Sequence, residues 1–354
     1  MVSASRGISP LDKFGVYRYR FPLMGLIITA AGIFMAGAVS IPFYFESPSI
    51  WYKFGFSKVL LRSGKVIGIL AAVLLFYQLI LAGRLRVLDR VFSLPGLVRA
   101  HRFNAVVIIL LVGLHPICIL SSEKTLLIPL EMRYWPEWVG VGLLVFIAFQ
   151  FSISQWRNKL GTRFDRWLVV HRCLGIAILG CLIVHILFVS ETFSEKSLPR
   201  EATLHSAALL GLFWLWIRTR WLRAKKSPFS VLQISSEGNS SVRVDLSSVT
   251  NSSFKYFPGQ FVIVSFQSKG VSSEPHPFTL SSTPTRPENL QLTARTHGDW
   301  TRTIARLAEG ERALIQGPFG RFSHLLANPG REIIMIAGGI GITPMLSMLR
   351  FMVD

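Results

Sequence analysis

The chain has 354 residues, 51% of them hydrophobic, with a mean hydropathy of +0.45 and a formal net charge of +19. That is too apolar for an ordinary soluble domain, and the length allows two or three domains. The basic residues cluster between apolar runs, so the positive-inside pattern of a membrane protein accounts for the charge and nucleic acid is not expected as a partner.

Residues 1–20 form a basic N-terminal segment with Arg6, Lys13, Arg18 and Arg20. A first apolar span follows at 21–43. Ala36-Gly37-Ala38 resembles a signal cleavage region, but the apolar run is long for a signal, which favours a retained helix. Five further spans are expected at 64–83, 101–120, 137–156, 167–190 and 203–222, each near the ~20 residues that a bilayer-crossing helix needs. The loops before 101 and 167 and the tail after 222 are rich in arginine and lysine, whereas the alternate loops hold Glu123, Glu131, Glu191, Glu195 and Glu201. The expected architecture is therefore an integral membrane protein of the plasma membrane, a six-helix transmembrane bundle over 21–223 with both termini cytoplasmic. Lys53, Lys58, Arg62 and Lys65 in the first outer loop break the rule. Cys118, Cys173 and Cys181 lie within spans and form no CxxC, which excludes a disulfide framework, a thiolate zinc site and an iron–sulfur cluster.

After Lys226 the pattern changes to short alternating runs with glycine punctuation, which predicts a β-rich domain over 226–327. At 330–354, REIIMIAGGIGITPMLSMLRFMV reads as a buried strand, a glycine turn and a helix, with Thr343 as N-cap and Pro344 in the first helical position. Gly338, Gly339 and Gly341 would let a phosphate approach the backbone N–H groups there. Ending at Asp354, this is the start of an α/β nucleotide-binding domain, read as truncated.

Four histidines organise the spans. His101 and His115 are fourteen residues apart, and so are His171 and His185. On a helix that spacing rises about 21 Å and turns about four turns less ~40°, so both imidazoles of a pair face nearly the same way. Two such helices side by side bring His101 to His171 near the inner face and His115 to His185 near the outer face. Each layer then offers two imidazoles, the axial ligand set of a haem iron. Packed polar histidines are the alternative, and a repeated fourteen-residue spacing is hard to assign to packing alone. Arg102 and Arg172, next to the inner pair, could face haem propionates or serve as plain basic anchors.

The segment His276-Pro277-Phe278-Thr279-Leu280-Ser281-Ser282 resembles the HPFT flavin motif of the ferric reductase and NADPH oxidase superfamily. The paired histidines resemble that superfamily's two-haem membrane domain, and Gly338–Pro344 resembles its GGxGxxP nucleotide motif. The resemblance implies an antiparallel β-barrel FAD-binding domain, two haems of b type, FAD, and NADH or NADPH as donor. It implies that His276, Pro277, Phe278 and Thr279 line the isoalloxazine, with Ser282 also at the FAD site. Arg295, Gly298, Trp300 and Thr301 would hold the FAD pyrophosphate, with turn chemistry as the other reading of His276 and core packing as that of Trp300. Gly338, Gly339, Gly341, Thr343 and Pro344 would meet the nucleotide. Animal oxidases of this family carry a further histidine where this chain has Ile119, which favours ferric iron over dioxygen as acceptor. Delivery of electrons to a periplasmic protein partner, association with further copies of the chain, and a membrane scaffold whose histidines only pack are the other expectations.

Overall fold

The computed structural model describes residues 19–125, 127–224, 229–238, 240–249, 253–326 and 332–354. The basic segment 1–18, Lys225, Lys226 and the boundaries at 226, 327 and 330 lie outside these residues. The chain divides into two compact units, one of Gly25–Gly83 with Leu97–Trp216, the other of Met1–Met24, Arg84–Gly96 and Ile217–Asp354.

The first unit is helical. Its elements are α1 (Arg20–Tyr44), α2 (Gly55–Ala82), the body of α4 (Leu94–Glu123), α5 (Trp135–Trp156), α6 (Phe164–Val189) and most of α7 (Ser197–Ala224). Large apolar side chains such as Leu110, Phe149 and Leu209 stand exposed on the helix surfaces, as they do where the solvent is lipid. Among the described residues five helices, not six, are long and apolar enough to cross a bilayer. The expected span at 203–222 is the one that falls short. It lies on α7, but the uninterrupted apolar stretch there, Ala207–Ile217, is eleven residues. That stretch rises only ~17 Å against a hydrocarbon core of ~30 Å.

The second unit is built on six antiparallel strands, β1 (Phe229–Glu237), β2 (Ser241–Ser248), β3 (Phe261–Gln267), β4 (His276–Thr279), β5 (Asn289–Arg295) and β6 (Arg312–Phe319), with the short helix α8 (Asp299–Thr303) between the last two. β1 and β2 form a hairpin whose turn contains Gly238 at φ +66°, a backbone region that glycine enters without steric cost. Alternate residues of the strands, including Val242, Val244 and Leu246 on β2 and Leu290, Leu292 and Ala294 on β5, share one core with Phe229, Phe266 and Trp300.

The sheet runs β4-β3-β6-β1-β2-β5 and is open rather than a closed barrel. Among the described residues its edges are joined by one isolated bridge, Leu280 to Leu292, beside the Ser281 N–H donating to the Gln291 carbonyl at 2.9 Å. β4 has four residues, and Pro277 within it has no N–H to donate, so it cannot extend a ladder to β5. Arg84–Gly96 belongs to this unit. Its short helix α3 (Arg86–Phe92) packs on β6, where the buried Asp89 carboxylate accepts the N–H groups of Leu94 at 2.7 Å and Gly320 at 2.9 Å. The Arg321 guanidinium donates to the Val91 carbonyl at 3.2 Å.

The expected strand at the start of 330–354 does not form. The described residues 332–338 make no ladder, and Ile334 and Ile336 are exposed, because no strand lies beside them. A 3-10 turn, Gly339–Ile342, leads into the helix α9 (Thr343–Val353) with Pro344 in its first turn. Thr343 is the first helical residue, not the cap. Its hydroxyl donates back to the Ile340 carbonyl at 3.1 Å.

Candidate cofactor sites

In the helical unit α4 and α6 present their histidines to each other in two layers. The ring centres of His101 and His171 lie 6.3 Å apart, and those of His115 and His185 lie 6.4 Å apart. A metal sits about 2 Å from an imidazole nitrogen, and that nitrogen lies about 1 Å from its ring centre, so two imidazoles trans on one metal have centres about 6 Å apart. Both layers match that separation.

Each ring is oriented from behind by a neighbouring helix. His115 Nδ1 lies 2.8 Å from the Gly64 carbonyl and His101 Nδ1 lies 3.3 Å from the Gln78 carbonyl, both on α2. His185 Nδ1 lies 3.0 Å from the Pro136 carbonyl and His171 Nδ1 lies 3.4 Å from Ser154 Oγ, both on α5. A carbonyl only accepts, so Nδ1 carries the proton in three of the four. Ser154 gives its own proton to the Gln150 carbonyl at 2.7 Å and can accept as well. With Nδ1 protonated, Nε2 of each ring keeps its lone pair for a metal.

Glycines make room for the rings. A methyl group on Gly68 would fall 2.8 Å from His115, and one on Gly140 would fall 2.5 Å from His185. Between the layers the gap is packed. Ile108 and Ile178 stand seven residues from each histidine of their own helix, are buried, and join Leu143 and Ile147 in one cluster. The His101 end of α4 is also tied: Gln78 Nε2 donates to the His101 carbonyl at 2.9 Å, and Asn104 Nδ2 donates to Gln78 Oε1 at 2.7 Å.

Among the described residues no three histidine, cysteine or carboxylate side chains gather as a metal site. Two imidazoles alone are too few to hold a bare ion, which prefers about four ligands or more. They suit a metal whose remaining ligands come from a prosthetic group, and haem is the group with two open axial positions.

In the sheet unit the sequence-expected flavin residues fall into three places. The His276 ring stacks on Trp300 at 4.0 Å and 28°, and Phe278 stacks on the same indole at 5.7 Å. Trp300 is 8% exposed and donates its indole N–H to the Ser272 carbonyl at 2.8 Å, so it is a core residue beneath His276. Pro277 points the other way, to solvent. His276 Nε2 lies 3.2 Å from Glu274 Oε2, and burial holds the imidazole below its ordinary pKa while that carboxylate works in the opposite sense.

Arg295 is exposed at the end of β5, and Gly298 and Thr301 form the following turn. Thr301 Oγ1 accepts the N–H groups of Gly298 at 2.9 Å and His297 at 3.1 Å. Ser282 lies apart, inside the unit, with its hydroxyl 2.8 Å from that of Tyr256. Burial raises the Tyr256 phenol, which therefore stays protonated.

Sequence reasoning missed the groups that orient these sites: Gly64, Gly68, Gln78, Gly140 and Ser154 around the histidines. The signal available was glycine spaced by four on α2 beside a polar residue in an apolar span. It also missed Ser347 and Arg350 on α9, which donate to the carbonyls of Ser282 at 2.6 Å and Ser281 at 2.7 Å and so tie the glycine-rich segment's helix to the end of the HPFT stretch.

Comparison with known proteins gives two family matches. Residues 67–182 match a ferric reductase like transmembrane component, and residues 226–322 match an FAD-binding domain. Pig dual oxidase 1 (Sus scrofa) is 26% identical over 275 residues, 72% of this chain and 17% of that protein. Respiratory burst oxidase homolog protein D of Arabidopsis thaliana is 25% identical over 256 residues, 61% of this chain and 26% of that protein. The sulfhydrogenase 2 gamma subunit of Pyrococcus furiosus is 38% identical over 101 residues, 28% of this chain and 33% of that protein. The chain thus spans a third or less of the length of each of these relatives.

Proposed function

Since the chain belongs to the ferric reductase and NADPH oxidase superfamily, we propose that it carries electrons across a membrane, from NADH or NADPH through FAD and two bis-histidine haems to a one-electron acceptor on the far side. The observation that carries this reading is the pair of histidine layers at 6.3 and 6.4 Å with every Nδ1 facing an acceptor. When bound, FAD and haem supply the exchange between a two-electron hydride donor and single electrons.

His101 with His171, and His115 with His185, would hold the two irons through Nε2. Their Nδ1 contacts keep that nitrogen aimed inward, and Ile108 with Ile178 keeps water out of the space between layers. If each pair of imidazoles holds its group in this way, an acceptor would take electrons without binding the metal itself. In the sheet unit the His276–Trp300 stack offers a flat aromatic wall for a flavin ring, and Arg295 beside the Gly298–Thr301 turn offers a cation for its diphosphate. Gly338, Gly339 and Gly341 leave open space at the start of α9 for a nucleotide, with Thr343 and Pro344 shaping its first turn.

Ferric chelate is the acceptor we favour, because Ile119 fills the position beyond His115 and packs toward Gly64 instead of offering a polar group to oxygen. Dioxygen is the second reading, carried by the oxidase names of the long-range relatives. The test is one spectroscopic trace. The purified protein is reduced without oxygen, excess reductant is removed, and the haem bands are followed after a pulse of ferric chelate or of oxygen. Faster reoxidation by ferric chelate supports a metalloreductase, faster reoxidation by oxygen with superoxide formed supports an oxidase, and absence of a reducible haem band removes the proposal.

A further inference from the structure

The basic residues that break the positive-inside rule divide into two kinds. Lys53 pairs with Glu123 at 3.0 Å, and Lys65 donates to Ser47 and Ser49 beside Glu191, so these two bind the loops of the helical unit together. Lys58 and Arg62 instead line a groove of about 550 Å³ along α2. Seven of its eight lining residues, from Gly55 to Ile67, recur at three- and four-residue steps on one face of the helix, and Phe43 of α1 is the eighth. The polar end holds Lys58 and Arg62, and the other end is walled by Val66 and Ile67.

This face is opposite the one that serves the histidines. Gly64 and Gly68, which meet His115, lie about half a turn around α2 from the groove. An electron acceptor in the groove would therefore have a helix between itself and His115, which argues against an acceptor site. The neighbour on such a face of a membrane helix is lipid. Trp51 and Tyr52, at least half exposed, stand in sequence just before Gly55 at the groove's polar end, and these are the residue types that settle at the level of lipid headgroups.

Arg62 pairs with Glu46 and lies over the Phe43 ring at 5.2 Å, yet its Nε is buried and lacks a hydrogen-bond partner among the described residues. The Arg62 side chain as a whole is 26% exposed, so a phosphate would meet its outer N–H groups rather than the buried Nε, and the Lys58 ammonium one helical turn away adds the charge to hold it.

We propose that this groove binds one anionic phospholipid, its phosphate on Lys58 and Arg62 and an acyl chain along Val59, Val66 and Ile67. The proposal rests on the chain being an integral membrane protein and not on the identity of its electron acceptor. The test uses the purified full chain, delipidated in neutral detergent and loaded with phosphatidylglycerol or with phosphatidylcholine of the same chains, with bound lipid counted by native mass spectrometry. One tightly retained phosphatidylglycerol is expected, at least about fivefold preferred over phosphatidylcholine, since a basic residue near an anionic headgroup contributes roughly that factor. Lys58→Gln should lower its retention about fivefold, and Val66→Phe, which fills the groove and leaves both charges, should lower it as well. Equal retention of the two lipids, or full retention by both variants, would overturn the proposal. Displacement of the lipid by millimolar inorganic phosphate would also overturn it, because the site would then be one for a soluble oxyanion.

Discussion

At the scale of single residues, the histidine layers depend as much on what is missing beside them as on the rings. Gly140 has no side chain where a methyl group would lie 2.5 Å from His185, so Gly140→Ala should push that imidazole off its position while leaving the helices folded. The expected result is a fall from two haems to about one per chain by pyridine haemochrome assay, with the His101/His171 layer retained. His115→Ala should abolish reduction of an external acceptor while FAD fluorescence shows the flavin still bound; unchanged acceptor reduction would contradict the proposed route. His276 gives a pH signature. Burial keeps it neutral in the fold below the ~6.5 at which a free histidine titrates, so the unfolded chain takes up more protons there and the fold loses stability as pH drops from about 6.5. Thermal unfolding of the chain should therefore fall more steeply between pH 7 and pH 5 than that of His276→Gln, and superimposable profiles would show that His276 does not titrate this way. The histidines were legible because a fourteen-residue repeat on two helices is a long-range pattern written in one dimension. Their supporting carbonyls at Gly64, Gln78 and Pro136 were not, because any residue supplies a carbonyl and only the packing of α2 and α5 selects which.

At the scale of elements, what a segment becomes was set by its neighbours wherever local pattern was weak. The five apolar helices announce themselves by length and composition. α7 does not, since the tryptophans, His205 and the flanking arginines dilute its apolar stretch, and the pattern overstated it. The run at 332–338 reads as a strand from its isoleucines, yet a strand exists only as part of a ladder, and none lies beside it. The sheet's strands were visible in alternation, but its openness follows from the four-residue β4 and its proline. α3 was read only as a basic loop, and its one acid proves to be the buried group that holds it to β6. Asp89 carries two backbone N–H groups, so Asp89→Ala should leave both without an acceptor and cost about 1–3 kcal/mol of the sheet unit's stability, readable as a lowered urea midpoint. Loss of α3 packing without any shift of that midpoint would show the contact to be incidental.

At the scale of the whole molecule, composition gave a membrane protein with an appended β-rich domain, and both units are present. What no composition could reveal is that Arg84–Gly96, sitting between two helices of the membrane unit in sequence, packs with the sheet some two hundred residues later. That one carboxylate bridging Leu94 and Gly320 joins two stretches of one unit that more than two hundred residues separate. Gly320 exists only after every residue between the two has been laid down, so the Asp89 carboxylate gains its second N–H partner last, when β6 is in place.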